Sequence, residues 1–306
     1  MGRPRPSALT FLIYPMNSSL SARWLPLAVF AALWGPAMIA ASYEWGHGEY
    51  YNYGWFVPPA AGWLMIRRWN ELPAADGPEW RWPWVGAAVL VLLPWFTGLR
   101  VLGYADPSWR LPMGLLGLTA VLAGHAWIAW LRGWRVSAGF LWITLLLLSA
   151  LPWPSVIEGA IVHTLTRNVV TVVSEIFQIM GKPVEVMGDR LQLHRLTVEV
   201  TDGCSGVRSF QSFVMATWFF AELQRLRSAR TAVLLACACG VAFVVNIART
   251  YSLAEIRFVK GEAAFHQAHD LLGLLAFLIS GLLFYWISGR LSEAPRRRLV
   301  KTVQGR

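Results

Sequence analysis

The sequence predicts an all-α polytopic membrane protein of about eight transmembrane helices, with an amphipathic helix and short β-strands on the outer face between spans five and six. Three observations carry this prediction. Hydrophobic residues make up 56% of the 306 residues, charged residues only 14%, and mean hydropathy is +0.46, whereas soluble chains carry roughly 25% charge and about 45–50% apolar residues. The chain holds 18 Trp, more than a small core could place with each indole N–H near a partner or an interface. Apolar runs of spanning length alternate with short basic clusters. Disordered, collagenous and disulfide-scaffold classes are excluded, since three cysteines do not make a framework. The net charge of +10 lies between apolar runs rather than on one face, the pattern of membrane topology and not of a nucleic-acid partner.

The elements follow in order. Runs long enough to span occur near 24–41, 53–66, 83–99, 111–131, 136–151, 206–223, 231–247 and 271–287. A span needs about 20 residues, so the second and fifth are short, and the second contains Pro58-Pro59. The apolar run before Met38-Ile39-Ala40-Ala41-Ser42 is long for a signal-peptide core, so the first span is expected to be retained. The organisation is one integral membrane domain: five N-terminal spans over 24–151, an extracytoplasmic segment over 152–203, three spans over 204–288 and a basic tail over 289–306. With eight spans both termini share a side. The ends on that side carry 17 of the 27 Lys and Arg and 5 of the 17 acids, which predicts cytoplasmic termini in a cell membrane.

The segment between spans five and six breaks the rhythm. Over 155–180, Ile157, Ile161, Leu165, Val169, Val172, Ile176 and Ile179 recur three or four apart, with Thr164, Arg167, Asn168, Thr171 and Glu175 elsewhere on the wheel. This is the pattern of an interfacial amphipathic helix; as a ninth span it would put Glu158, His163, Arg167 and Glu175 in lipid at high cost. After Gly181 and Pro183, period-two alternation around 184–186, 191–193 and 197–200, with a Gly188-Asp189 turn, predicts two or three short strands.

The strands end in Thr201-Asp202-Gly203-Cys204-Ser205-Gly206-Val207-Arg208, and a span follows. Cys204 therefore enters a helix at the outer interface, where backbone N–H groups, the positive helix end and Arg208 four residues on favour a thiolate. A thiolate is a competent nucleophile; an inert small core residue is the other reading of a free Cys, and local sequence leaves both open. Cys237 and Cys239 lie among alanines deeper in a span, with no His or acid nearby in sequence. They lie about half a hydrocarbon core, roughly 15 Å, from Cys204, too far for a disulfide. Asn246 and Arg249 close the seventh span at its outer end, and His266, His269 and Asp270 open the eighth at the same depth. Nucleophile, cation and imidazole at one membrane face are the parts of a thiol acyl-transfer site.

Cys204-Ser205-Gly206 before a span, Asn246-x-x-Arg249 ending one, and His269-Asp270-x-x-Gly273 opening another resemble the three signature elements of the exosortase/archaeosortase family. Tyr53-Gly54-Trp55-Phe56-Val57-Pro58 is similar to the family's early loop, with Tyr53 in place of the usual His, and Leu151-Pro152-Trp153-Pro154 resembles its proline pair. Gly203 stands where Ala is common. The resemblance covers roughly residues 24–287. It implies a membrane-embedded cysteine protease or transpeptidase that cleaves C-terminal sorting signals of secreted proteins, in bacteria the PEP-CTERM type often found alongside exopolysaccharide synthesis. It implies Cys204 as nucleophile, His269 as general acid/base and Arg249 as oxyanion or thiolate stabiliser, supported by Asn246, Asp270, Arg208 and Ser205. No cofactor or metal is expected. The expected partners are the sorting-signal peptide, the lipid bilayer and an amine, lipid or glycan acceptor; no further domain is expected after the tail. Competing readings are hydrolysis without transfer and a non-enzymatic component of exopolysaccharide assembly or a small transporter. A transporter would gather its ionisable residues near the midplane rather than at one interface.

Overall fold

The computed structural model describes residues 20–48, 50–72, 82–193, 196–199 and 206–303; Cys204 and Ser205 fall outside them. Helix α1 (Leu20–His47) is followed by a 3-10 turn (Asn52–Phe56) and α2 (Val57–Glu71). Pro58 and Pro59 fall in the first turn of α2, where a missing N–H costs nothing, so they open the helix rather than break it. Next come α3 (Trp82–Ala105), α4 (Arg110–Arg132), α5 (Trp134–Ala138), α6 (Leu141–Ser149) and α7 (Ser155–Ile179). Strands β1 (Glu185–Met187), β2 (Arg190–Leu193) and β3 (Leu196–Glu199) form an antiparallel sheet in chain order, with Val186 opposite Leu191 and Leu191 opposite Val198. Three long elements end the chain: α8 (Val207–Leu223), α9 (Ser228–Lys260) and α10 (Glu262–Val303).

Six helices are long and apolar enough to cross a membrane by length and composition: Pro26–His47, Gly86–Ala105, Arg110–Arg132, Ser155–Ile179, Ser228–Lys260 and Glu262–Ser292. Eight were expected. The 53–66 run becomes the 15-residue α2 and the 206–223 run the 17-residue α8, about 23 and 26 Å long against a hydrocarbon core of about 30 Å. The 136–151 run is not one helix but is split between α5 and α6 at Gly139-Phe140. These shorter pieces pack on one another, α6 against both α2 and α8, and α2 and α6 share one buried core with α1 and α4. The exposed Trp109, N-cap of α4, and Trp130 near its end lie 21 positions apart, about 31 Å of helix, the spacing of the two interfaces.

The bundle has two distinct ends. At one, Arg68 pairs with the buried Glu222 at 2.7 Å, Arg225 pairs with Glu222 and Glu71, and Arg67 donates to the Leu223 carbonyl at 3.1 Å. Arg225 closes α8 with φ of 54°. At the other end lie Gly206, the start of α4 and the 3-10 turn. Helix α7 starts and finishes at this second end: Glu158 in its first turn meets Arg110 and Tyr51, while Phe177 in its last turn packs on Tyr251 and Phe258 of α9. The three-stranded sheet packs beside it, with Val184, Leu191 and Val198 joining Val169, Val173 and Phe177 in one apolar cluster.

Helix α9 does not stop near Ile247, as its apolar run suggested, but continues to Lys260, about 16 Å beyond Arg249. Its extension is held by Lys182–Glu255, by Ala254 in the cluster under the sheet, and by Gly261 at φ of 84°, where α10 begins. Away from this cap, α3 is largely exposed, and an apolar groove of about 1090 Å³ opens between α1, α3 and α4, lined by residues including Leu33, Leu92, Phe96 and Trp127.

Candidate active site

The start of α8, the Asn246–Arg249 stretch of α9 and the opening turns of α10 come together at this end of the bundle. Gly206 is the N-cap of α8 in the left-handed region, φ of 82°, which glycine adopts without steric cost. It also presses on α9: a Cβ at Gly206 would stand 2.8 Å from Cγ of the buried Asn246. Gly206, which follows Cys204-Ser205 in the sequence, thus abuts Asn246. One helical turn further along α9, Arg249 Nη2 lies 3.2 Å from Nε2 of His269 on α10. Gly273, one turn below His269, lies 3.7 Å, measured from an added Cβ, from the same guanidinium, so the arginine rests over a side-chain-free stretch of α10.

The hydrogen bonds define the imidazole's state. A guanidinium only donates, so Nε2 accepts from Arg249 and the ring proton sits on Nδ1, which donates to Asp270 Oδ1 at 3.1 Å. Asp270 is almost wholly exposed, so this carboxylate steers the ring more than it holds it. Among the described residues, the buried Arg249 Nε–H has no partner. His266 is turned away, exposed and 3.7 Å from Glu262. Arg208 lies exposed in the first turn of α8. Cys237 and Cys239 are free thiols on α9, about 10–14 Å below Asn246 along the helix. Of the residues singled out in the sequence, Arg249, His269 and Asp270 meet, Asn246 abuts Gly206 one turn away on α9, and His266 faces Glu262 instead. Among the described residues no three His, Cys, Asp or Glu side chains converge as a metal-ligand set.

A second polar cluster lies at the same end and was not anticipated as a unit. Arg110 reaches Glu158 at 2.7 Å, the Trp153 carbonyl at 3.0 Å and Glu44 at 3.6 Å; Tyr51 donates to Glu158 and accepts from the Trp153 N–H at 2.8 Å. Burial, then the Glu158 carboxylate, push the Tyr51 phenol well above its ordinary range, so it remains a donor. Glu158 stands on the buried side of α7 with Val162, Thr166 and Val169, but nothing in its spacing names Tyr51 or Arg110 as its partners.

The fold and the site define a multi-pass membrane protein in which Arg249 and His269 meet at one end of a helical bundle. The sequence model of the transmembrane exosortase family matches residues 45–286, and the chain belongs to that family. It matches no curated protein and no solved structure.

Proposed function

We propose that this exosortase is a cysteine peptidase or transpeptidase that cleaves the C-terminal sorting signal of secreted proteins, of PEP-CTERM type, at the outer face of the cell membrane, with both termini cytoplasmic. The observation that carries the reading is the contact of Arg249 with His269 beside the Gly206–Asn246 junction. Cys204 is two residues from that junction, a reach of at most about 7 Å.

In this reading His269 Nε2 takes the Cys204 thiol proton, and the thiolate attacks the scissile carbonyl carbon. A protonated Nε2 can no longer accept from Arg249, and two adjacent cations repel. Proton transfer therefore releases the guanidinium to donate to the developing oxyanion, with the unpartnered Nε–H as a second donor. Collapse of the tetrahedral intermediate returns the His269 proton to the leaving amine and leaves a thioester on Cys204. An acceptor amine or water then attacks the thioester, losing its proton to His269, and the thiol is restored.

The test is the conversion of a co-expressed, tagged precursor ending in a Pro-containing motif, an apolar helix and an Arg-rich tail. Cys204→Ala and Cys204→Ser are expected to abolish conversion. Arg249→Lys is expected to lose about 10²–10³ in rate, the scale of one oxyanion donor, because a compact ammonium cannot make the planar fork. Conversion by Cys204→Ala would overturn the reading in favour of an assembly component.

A further inference from the structure

We propose that Tyr51, Arg110 and Glu158 are positioning residues for the entrance of α8, acting through Trp153 and Phe210. For its effect on turnover this rests on the cysteine-enzyme reading; its geometry does not. Both backbone polar groups of Trp153 are held by side chains from distant parts of the chain, the N–H by Tyr51 at 2.8 Å and the carbonyl by Arg110 at 3.0 Å. Glu158 locks both holders, accepting from Tyr51 and from Arg110 at 2.7 Å, and Arg110 lies over the Tyr51 ring, 6.0 Å from its centroid. Trp153 therefore cannot shift without breaking bonds in a buried cluster.

The Trp153 ring meets Phe210 edge to face at 6.4 Å and 83°. The Phe210 N–H donates to the Gly206 carbonyl at 2.9 Å, closing the first turn of α8. An unbroken series of contacts thus runs from the cluster to the residue that abuts Asn246 and follows Cys204-Ser205 in the chain. A well-packed apolar core would stabilise the bundle as well as a buried ion cluster does. What the cluster adds is a single allowed place for Trp153, and a site of this kind is sensitive to displacement: about 1 Å can cost 10²-fold in rate.

The experiment uses the full chain in native membranes with Cys237→Ala and Cys239→Ala, leaving Cys204 as the thiol. Its alkylation rate by iodoacetamide reports the entrance without requiring any substrate. Tyr51→Phe and Phe210→Leu are each expected to change that rate by about threefold or more, Tyr51→Phe also lowering the thermal midpoint because it leaves the Trp153 N–H without its acceptor. Because both act on one contact series, the double variant should show no more than the larger single effect, the non-additivity of coupled residues. Single variants that react at the parental rate, or effects that multiply in the double variant, overturn the proposal. Should Tyr51→Phe fail to fold, Glu158→Gln takes its place in the same cycle. In the processing assay, kcat should fall while KM holds. Coupled alkylation effects in a protein that processes no precursor would instead count against the enzymatic reading and leave the positioning intact.

Discussion

Gly206 is the residue on which the site depends most directly, because it is constrained twice. A side chain there meets a left-handed backbone cost of about 1–2 kcal/mol and a Cβ 2.8 Å from Asn246 Cγ. Gly206→Ala is therefore expected to abolish precursor conversion while lowering the thermal midpoint only modestly. Gly206→Ala with Asn246→Ala should recover the thermal midpoint at most in small part, since it removes the contacts with Cγ and Nδ2 but leaves the 3.2 Å approach to Cβ and the backbone cost. Gly273 makes the contrasting case: its added Cβ would sit at ordinary contact distance from Arg249, so Gly273→Ala should retain most conversion. His266→Ala should do the same, because that ring faces Glu262 rather than Arg249. A conversion assay on the four variants checks the ranking.

At the scale of elements, α7 divides its circumference three ways. Val162, Val169, Val173 and Phe177 are buried against the protein, Ile161, Leu165, Val172 and Ile176 form a half-buried edge, and His163, Arg167, Thr171 and Glu175 are exposed. With both ends at the same end of the bundle, this suits a helix lying in the interface, aliphatic edge toward the acyl chains. Cysteines at Thr164 and Asn168 are then expected to react with a membrane-impermeant maleimide on intact spheroplasts, and cysteines at Leu165 and Val172 to react far less. Equal labelling of all four positions would contradict it. The helix, the strands and the Asn246–Arg249–His269 alignment were legible in the sequence because each rests on local periodicity or on depth along a span. The break at Gly139-Phe140, the extension of α9 and the Tyr51–Arg110–Glu158 cluster were not. Hydropathy reports where lipid ends and not where a helix ends, and contacts 43 to 107 residues apart leave no spacing to read.

Across the whole molecule, polar locks hold both ends of an otherwise apolar bundle. At the end away from the site, Glu222 is almost fully buried between Arg68 and Arg225. Arg68→Ala leaves that carboxylate short of a partner, a loss on the order of 3–5 kcal/mol, and should lower the thermal midpoint far more than Arg67→Ala, whose main tie is to an exposed Glu71 and a carbonyl. The groove between α1, α3 and α4 has a practical corollary. In a bilayer its volume of about 1090 Å³ is expected to fill with acyl chains, since lipid tails are as apolar as its walls, so that α3 is held partly by its solvent. Purification in a short-chain detergent should strip those tails and let α3 splay from α4, quenching or shifting the fluorescence of Trp95 and Trp127, and returning long-chain phospholipid should restore it.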